Sequence, residues 1–345
     1  MNPGWIVRFR PLGPWRSGPD SGARDRVDPV FHSDRLYSAV CSAMAQLGQL
    51  EEWLDATARN PDGPAARFSS CFPFQDELLY VIPPRSHWPP APSLKVRWKG
   101  ARFVPLRVVE TVLADKNVDE NRWAVDGASE CLMPADRPRG PYQQAVRSHA
   151  AVDRLSSHID VHLTACLEFR EGAGLWAAVF FADESAKSAW SERLTAALRL
   201  LADSGFGGKR SWGWGRCQMP EITEGDMPGL ILRPREARAA AVEEEAPAPV
   251  EQAWWLLSLF SPASADSVDW QRGEYALVTR AGRVESAAAP GTLKKAARMV
   301  AEGSVLFSDA PVSGTAVDVA PDGCPHPVYR SGYALAISIP WRVAS

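Results

Sequence analysis

At 345 residues, 46% of them hydrophobic, the chain is long enough to bury a substantial core and to divide into about two domains. A formal net charge of −3 excludes a protein that coats nucleic acid over its whole surface, while a local basic track stays compatible with it. The six cysteines, Cys41, Cys71, Cys131, Cys166, Cys217 and Cys324, never fall in C-x-x-C or another metal-ligand spacing, which argues against a zinc site.

The first ten residues lack the apolar core of a secretory signal, and no apolar run approaches the roughly 18 residues of a membrane helix. A cytoplasmic protein with reduced thiols and no membrane partner is expected. Residues 5–10 alternate as a first strand, and residues 11–29, rich in Gly, Pro, Arg and Asp, read as a long irregular loop. A helix follows, with Ser33 as N-cap, Asp34 in the first turn and Leu36, Val40, Ala43, Met44 and Leu47 as its buried stripe. His32 and Ser33 then stand at a helix N-terminus, where free N–H groups and the macrodipole favour phosphate. The ordinary alternative is a capping serine beside an exposed histidine.

Residues 78–82 read as a strand, and the prolines of 83–92 forbid regular pairing. From there to about residue 150 the pattern is weak, as in an insertion protruding from a domain. Basic residues gather in it: Lys95, Arg97, Lys99, Arg102 and Arg107 run without acids around Trp98, and Arg137, Arg139, Arg147 and Arg154 continue the excess. Residues 161–169 and 175–181 are predicted to form a hairpin. Residues 185–203 form an amphipathic helix with Trp190, Leu194, Ala197, Leu198 and Leu201 on one stripe, and 216–220 a short final strand. Strand, helix, strands, helix, strand is close to a ferredoxin-like βαββαβ unit with a large insertion.

Between that helix and strand lies Gly205-Phe206-Gly207-Gly208-Lys209-Arg210-Ser211-Trp212-Gly213-Trp214-Gly215-Arg216, a loop with glycines, cations and two tryptophans but no acid. Glycines let a backbone approach an anion closely, and Lys209, Arg210 and Arg216 supply charge. It is no Walker A loop, because Asp203 stands where the first glycine belongs and Arg210 follows the lysine. It also fails the G-x-G-x-x-G fingerprint, since Arg210 or Gln218 takes the third glycine's place. A mononucleotide or dinucleotide cofactor is therefore not expected; a polymeric phosphate chain suits the loop better. Trp212 and Trp214 either stack on bases or pack in the core.

Residues 221–252 hold the low-complexity runs of a solvated linker. In the second domain, residues 254–260, 274–280, 303–308, 314–319 and 333–339 read as strands and 292–301 as a short helix. No catalytic constellation of His, Cys, Asp or Glu stands out there, and the expected role is packing, orientation or partner binding.

These pieces together resemble the subunit-4 family of the Csm complex, the type III-A CRISPR effector, within the RAMP superfamily. The resemblance rests on the helix start Phe31-His-Ser-Asp-Arg-Leu-Tyr-Ser-Ala-Val40, on the loop 204–216, and on the C-terminal order of segments 275–282, 302–306 and 326–333. It implies an α+β protein of two ferredoxin-like (RRM-like) domains: residues 1–224 with a thumb-like insertion at about 83–150, a linker at 225–252, and residues 253–345. It also implies a non-catalytic, cofactor-free subunit holding the 5′ repeat-derived handle of the guide RNA. The implied partners are the large nuclease and cyclase subunit, the backbone RNase subunit, and target RNA near the handle. The expected RNA contacts are the loop Gly205–Arg216, the helix start His32 and Ser33, and Arg35 and Arg154, with Ser211 facing a 2′-OH. Arg35 and Tyr37 stand where family members often carry other residues, and the loop has unusually many tryptophans.

Two other functions fit the residues. A metal-independent, guide-processing endoribonuclease of the RAMP superfamily would use His32 with Tyr37 and Lys209 for acid and base work. A purely structural scaffold would use the loop only to close the fold.

Overall fold

The computed structural model describes residues 2–19, 21–90, 94–152, 154–156, 159–232, 251–286 and 289–341. The low-complexity part of the expected linker, 233–250, lies outside them.

The strands and helices follow in chain order: β1 (Asn2–Phe9), α1 (Ser33–Gln46), α2 (Leu50–Ala56), β2 (Ala66–Phe68), β3 (Phe72–Gln75), β4 (Leu78–Val81), α3 (Leu94–Trp98), β5 (Val104–Pro105), α4 (Leu106–Leu113), β6 (Trp123–Asp126), β7 (Cys131–Pro134), β8 (Tyr142–Val152), β9 (Ile159–Phe169), β10 (Ala173–Phe181), α5 (Glu184–Ser204) and β11 (Glu221–Met227). The main sheet is antiparallel in the order β11-β1-β10-β3-β4-β5, with β2 also paired to β10. β10 takes a central place because its run of apolar residues is buried along almost its whole length, which only an interior strand allows. α1 and α5 pack on each other beside this sheet, the latter on the stripe Trp190, Leu194, Ala197, Leu198 and Leu201 that its periodicity predicts.

Three expectations for this half change. The fourth strand is β11, not 216–220. Pro220 offers no N–H for pairing, and β11 starts directly after it as an exposed edge whose polar residues hide the strand pattern. The 161–169 strand, β9, does not pair with β10; it forms an eleven-residue ribbon with β8. Residues 83–150 hold α3, α4 and a small β6–β7 hairpin, where the sequence shows only extended basic pieces.

The β8–β9 ribbon is amphipathic in an unusual sense. Residues directly opposite in an antiparallel pair share a face, so Val146, Ala150, Val152, Ile159, Val161 and Leu163 line one side. Of these, Val146, Val152, Ile159, Val161 and Leu163 are 53–65% exposed. The other side carries Arg147, His149, His162 and Thr164.

The second half contains β12 (Gln252–Leu256), β13 (Asp269–Glu274), β14 (Leu277–Arg280), β15 (Ala297–Val300), β16 (Val305–Phe307), β17 (Ala316–Asp318), β18 (Tyr329–Ser331) and β19 (Ala336–Pro340). Its main sheet runs β13-β16-β12-β19, with small pairs β14–β15 and β17–β18. The helix expected at 292–301 is absent. Residues 297–300 are strand β15, because pairing with β14 buries Met299 and Val300 and overrides the helix propensity of Ala297, Arg298 and Met299. Among the described residues, no helix is long and apolar enough to cross a membrane.

One hydrophobic core joins the two halves. Trp255, Leu257, Ile337 and Ile339 of the second belong to the same cluster as Trp5, Val40, Tyr80 and Trp176 of the first. The Trp255 indole N–H donates to the Ile82 carbonyl at 3.2 Å.

Candidate nucleic-acid interface

The glycine loop begins where α5 stops. Gly205 has φ +84°, a conformation that ends a helix and suits glycine. Phe206 then turns inward, fully buried, with its ring 5.1 Å from Phe9, 5.2 Å from Phe31 and 6.0 Å from Trp15. It is a core anchor, which removes it from the expected RNA contacts. Gly215 has φ +80°, and a Cβ there would collide with the Phe206 carbonyl oxygen. Gly215→Ala should therefore lower stability by at least ~2 kcal/mol through backbone strain and the clash, measurable as a fall in the denaturant midpoint at unchanged m-value.

Part of the loop's backbone is used internally and is not offered to an anion. The N–H groups of Gly208 and Gly215 donate to the carbonyls of Arg16 and Pro14, that of Phe206 to Gly215, and those of Trp212 and Gly213 to Lys209 and Arg210. These glycines serve close packing and left-handed φ values, and side chains supply the charge.

Those side chains are crowded with positive charge. The Lys209 ammonium lies 3.8 Å over the Trp212 ring, and partial burial followed by the nearby Arg24 and Arg16 hold it below the ordinary lysine range. Arg16 is buried, and its guanidinium donates to the carbonyls of Ala165 and of Ala23, the latter at 2.8 Å. Bringing an anion here relieves repulsion among three cations. Arg210 pairs with Glu285 of the second half at 3.2 Å, and Arg216 with Asp203 at 3.3 Å, both exposed. Ser211 and Gly213 are exposed and Gly207 is half-buried.

The tryptophans divide. Trp214 is buried, whereas Trp212 is 41% exposed but has the His149 ring 3.9 Å away in addition to Lys209. Two partners this near one ring centre leave little of its face for a base. The loop therefore joins the polar face of the β8–β9 ribbon through His149, a contact that the sequence does not reveal because residues 149 and 212 are far apart in the chain. Arg154 is exposed in the turn at the end of the ribbon. Arg35 is half-buried, with its guanidinium on the Ser17 hydroxyl.

His32 and Ser33 are not at an open helix start. His32 occupies the N-cap position and Ser33 is the first helical residue. The Ser33 hydroxyl accepts the Leu259 N–H at 3.0 Å. His32 is buried between Glu302 (2.7 Å) and Asp28 (2.9 Å), and the Ser70 hydroxyl donates to Glu302. Asp34 accepts from Arg280 at 3.1 and 3.2 Å and from Arg330, all three side chains buried. The sequence places Asp34 beside the helix dipole; its dominant role is to tie α1 to two arginines of the second half. This corrects the expectation that His32 and Ser33 contact RNA. It also removes the acid–base pair of the ribonuclease reading, since Tyr37 is likewise buried, its hydroxyl 2.7 Å from that of Thr57.

Burial alone would push the His32 pKa down, but the Glu302 carboxylate and the hydrogen bonds to Asp28 and Glu302 outweigh it and raise the group to about 9. A raised folded-state pKa stabilises fully below the ordinary value near 6.5 and loses that contribution as pH rises through about 9. Melting temperature should thus decline between about pH 6.5 and 9, and His32→Gln should flatten that decline.

Residues 250–339 match the CRISPR Csm4 C-terminal domain. A curated relative from Thermococcus onnurineus (strain NA1), the CRISPR system Cms protein Csm4, is 24% identical over 225 residues. The C-terminal part of the chain is thus a Csm4 C-terminal domain, and the chain is similar to Csm4. That alignment covers 61% of this chain and spans 65% of the Thermococcus protein's length. Two solved structures share the fold over nearly the whole chain. A Csm3–Csm4 subcomplex of a type III-A interference complex gives a TM-score of 0.60 at 15% identity, covering 98% of this chain and 100% of that one. A Csm1–Csm4 cassette in complex with cA4 gives 0.56 at 17% identity, covering 99% of each chain. Within the Csm4 family match, the C-terminal domain supplies Arg280, Arg330 and Glu302, so the family segment is the half that closes over α1.

Proposed function

We propose that this protein is a non-catalytic, RNA-binding subunit of a type III-A CRISPR effector that holds the 5′ repeat-derived handle of the guide RNA. Its partners in this reading are the large nuclease and cyclase subunit and the backbone RNase subunit, after the Csm1–Csm4 and Csm3–Csm4 assemblies of its structural relatives. The observation that carries the reading is the cluster of Arg16, Arg24 and Lys209 beside the exposed Arg210 and Ser211, a concentration of cations awaiting a flexible anion. A single strand offers phosphates along such a track and splayed bases to flat side chains.

The strand order supports two ferredoxin-like units. β1, β2 with β3, β10 and β11 lie in the spatial order fourth-first-third-second, and β12, β13, β16 and β19 repeat it read from the other edge. The second unit has the strands of that fold without its helices among the described residues. The β8–β9 ribbon is the best thumb. Its aliphatic face suits a wedge between guide and target strands, as apolar side chains part stacked bases elsewhere. This shifts the thumb from about 83–150 to 142–169.

Ultraviolet cross-linking of the assembled complex, followed by mapping of RNA-bound peptides, tests the reading. Cross-links on this chain within 205–216 are expected; cross-links confined to other subunits would overturn it.

A further inference from the structure

Beside the glycine loop, a cleft of about 260 Å³ opens between the two halves. Its near wall is the loop with Arg16, Arg35 and Arg210; its far wall is the C-terminal domain, with Arg283, Lys294 and Arg330. Among the described residues, only Asp34 and Glu285 bring negative charge to the lining, and Asp34 is already paired with Arg280 and Arg330. The second domain is expected to serve packing, orientation or partner binding. The composition of this wall gives it another task.

We propose that this cleft holds one phosphate-bearing nucleotide unit at the single-stranded end of the guide RNA, gripped from the C-terminal side by Lys294 and Arg283. The inference rests on the guide-RNA reading of the loop and deepens it. Two features point to an anion from outside. The Arg330 Nε is buried and has no hydrogen-bond partner among the described residues, although the rest of that guanidinium is engaged by Asp34 and the Ala281 carbonyl. Lys294 has no carboxylate within ion-pair distance among the described residues, while burial and then repulsion from Arg330 hold its pKa down. A buried guanidinium donor and a lysine under repulsion both gain from a phosphate oxygen. The volume lies at the small end of ligand sites, room for one nucleotide unit and not for a duplex. Arg210 and Glu285 bridge the two walls at the cleft's edge, so an anion drawing on Arg210 would also compete with that bridge.

The test uses the assembled complex in three forms: unaltered, Lys294→Glu with Arg283→Glu, and Lys209→Glu with Arg210→Glu. Neither pair of substitutions touches the Asp34 lock, and Lys294→Met serves as a second cleft variant if the reversal perturbs assembly. The readout is the guide RNA retained after washes of rising salt. The cleft variant should hold its RNA about a hundredfold more weakly, as two lost charge-assisted phosphate contacts require. Retention equal to the unaltered complex, with loss from the loop variant, would overturn the cleft and leave the loop reading standing. Full retention in both would overturn both. A parallel arm adds AMP alone. Stabilisation by AMP that depends on Lys294, without any change in RNA retention, would overturn the guide assignment in favour of a free nucleotide.

Discussion

Asp34→Ala is expected to lower the stability of the folded chain by about 3–5 kcal/mol, the cost of leaving buried arginines without their carboxylate. Asp34 is 4% exposed, and Arg280 and Arg330 are 1% and 7% exposed, so water cannot replace the lost partner without opening the contact between the halves. Burial would raise the Asp34 pKa, but Arg280 and then Arg330 drive it well below the usual carboxylate range. A depressed carboxylate stabilises above its ordinary pKa and loses that contribution as pH falls, so acid should part the halves in the wild type as the substitution does at neutral pH. Denaturant melts monitored by tryptophan fluorescence measure the loss. A change below ~1 kcal/mol would mean that the arginines find other partners and that the lock is not what holds α1 to the C-terminal domain.

The second large effect concerns RNA. Reversing Lys209 and Arg210 to glutamate removes two cations from the track and adds two repulsive charges next to Arg16 and Arg24. Each charge-assisted contact to phosphate is worth about 1.5–3 kcal/mol, so affinity for handle RNA should fall by a hundredfold or more. The slope of log affinity against log salt should become shallower by about 1.4, since each single-strand phosphate contact contributes about 0.7. Stability should be nearly unchanged, because both side chains are at the surface and Arg210 loses only an exposed pair with Glu285. A fall in affinity with an unchanged salt slope would point to a damaged loop instead of lost phosphate contacts.

Much of the first half was legible because strong periodicity and punctuation coincide there: the α5 stripe, the Gly205 stop and the apolar run of β10 all read directly. What escaped was long-range pairing. β9 and β10 are adjacent in sequence and both extended, yet β9 pairs with β8, outside the sheet that β10 enters, which leaves Val161 and Leu163 exposed. β15 carries helix-friendly residues and becomes a strand through its partner β14. At the candidate site, the loop's cations were readable as a charge run, but part of its backbone is engaged internally, and Arg16, Arg24 and His149 reach it from distant segments. His32, Ser33 and Asp34 look like a helix cap until Leu259, Glu302, Arg280 and Arg330 close over them. Residues that serve one domain's surface in isolation serve a domain interface here, and a local pattern cannot distinguish the two.

The most direct measurement of the central claim is the RNA that co-purifies with this protein when it is co-expressed with effector subunits and a CRISPR array. Wild type and the Lys209→Glu, Arg210→Glu variant are compared at matched protein yield and melting temperature. Loss of handle-bearing RNA from the variant, with assembly preserved, is the expected result. Equal RNA in both would contradict the account and move the function of this chain to its protein interfaces.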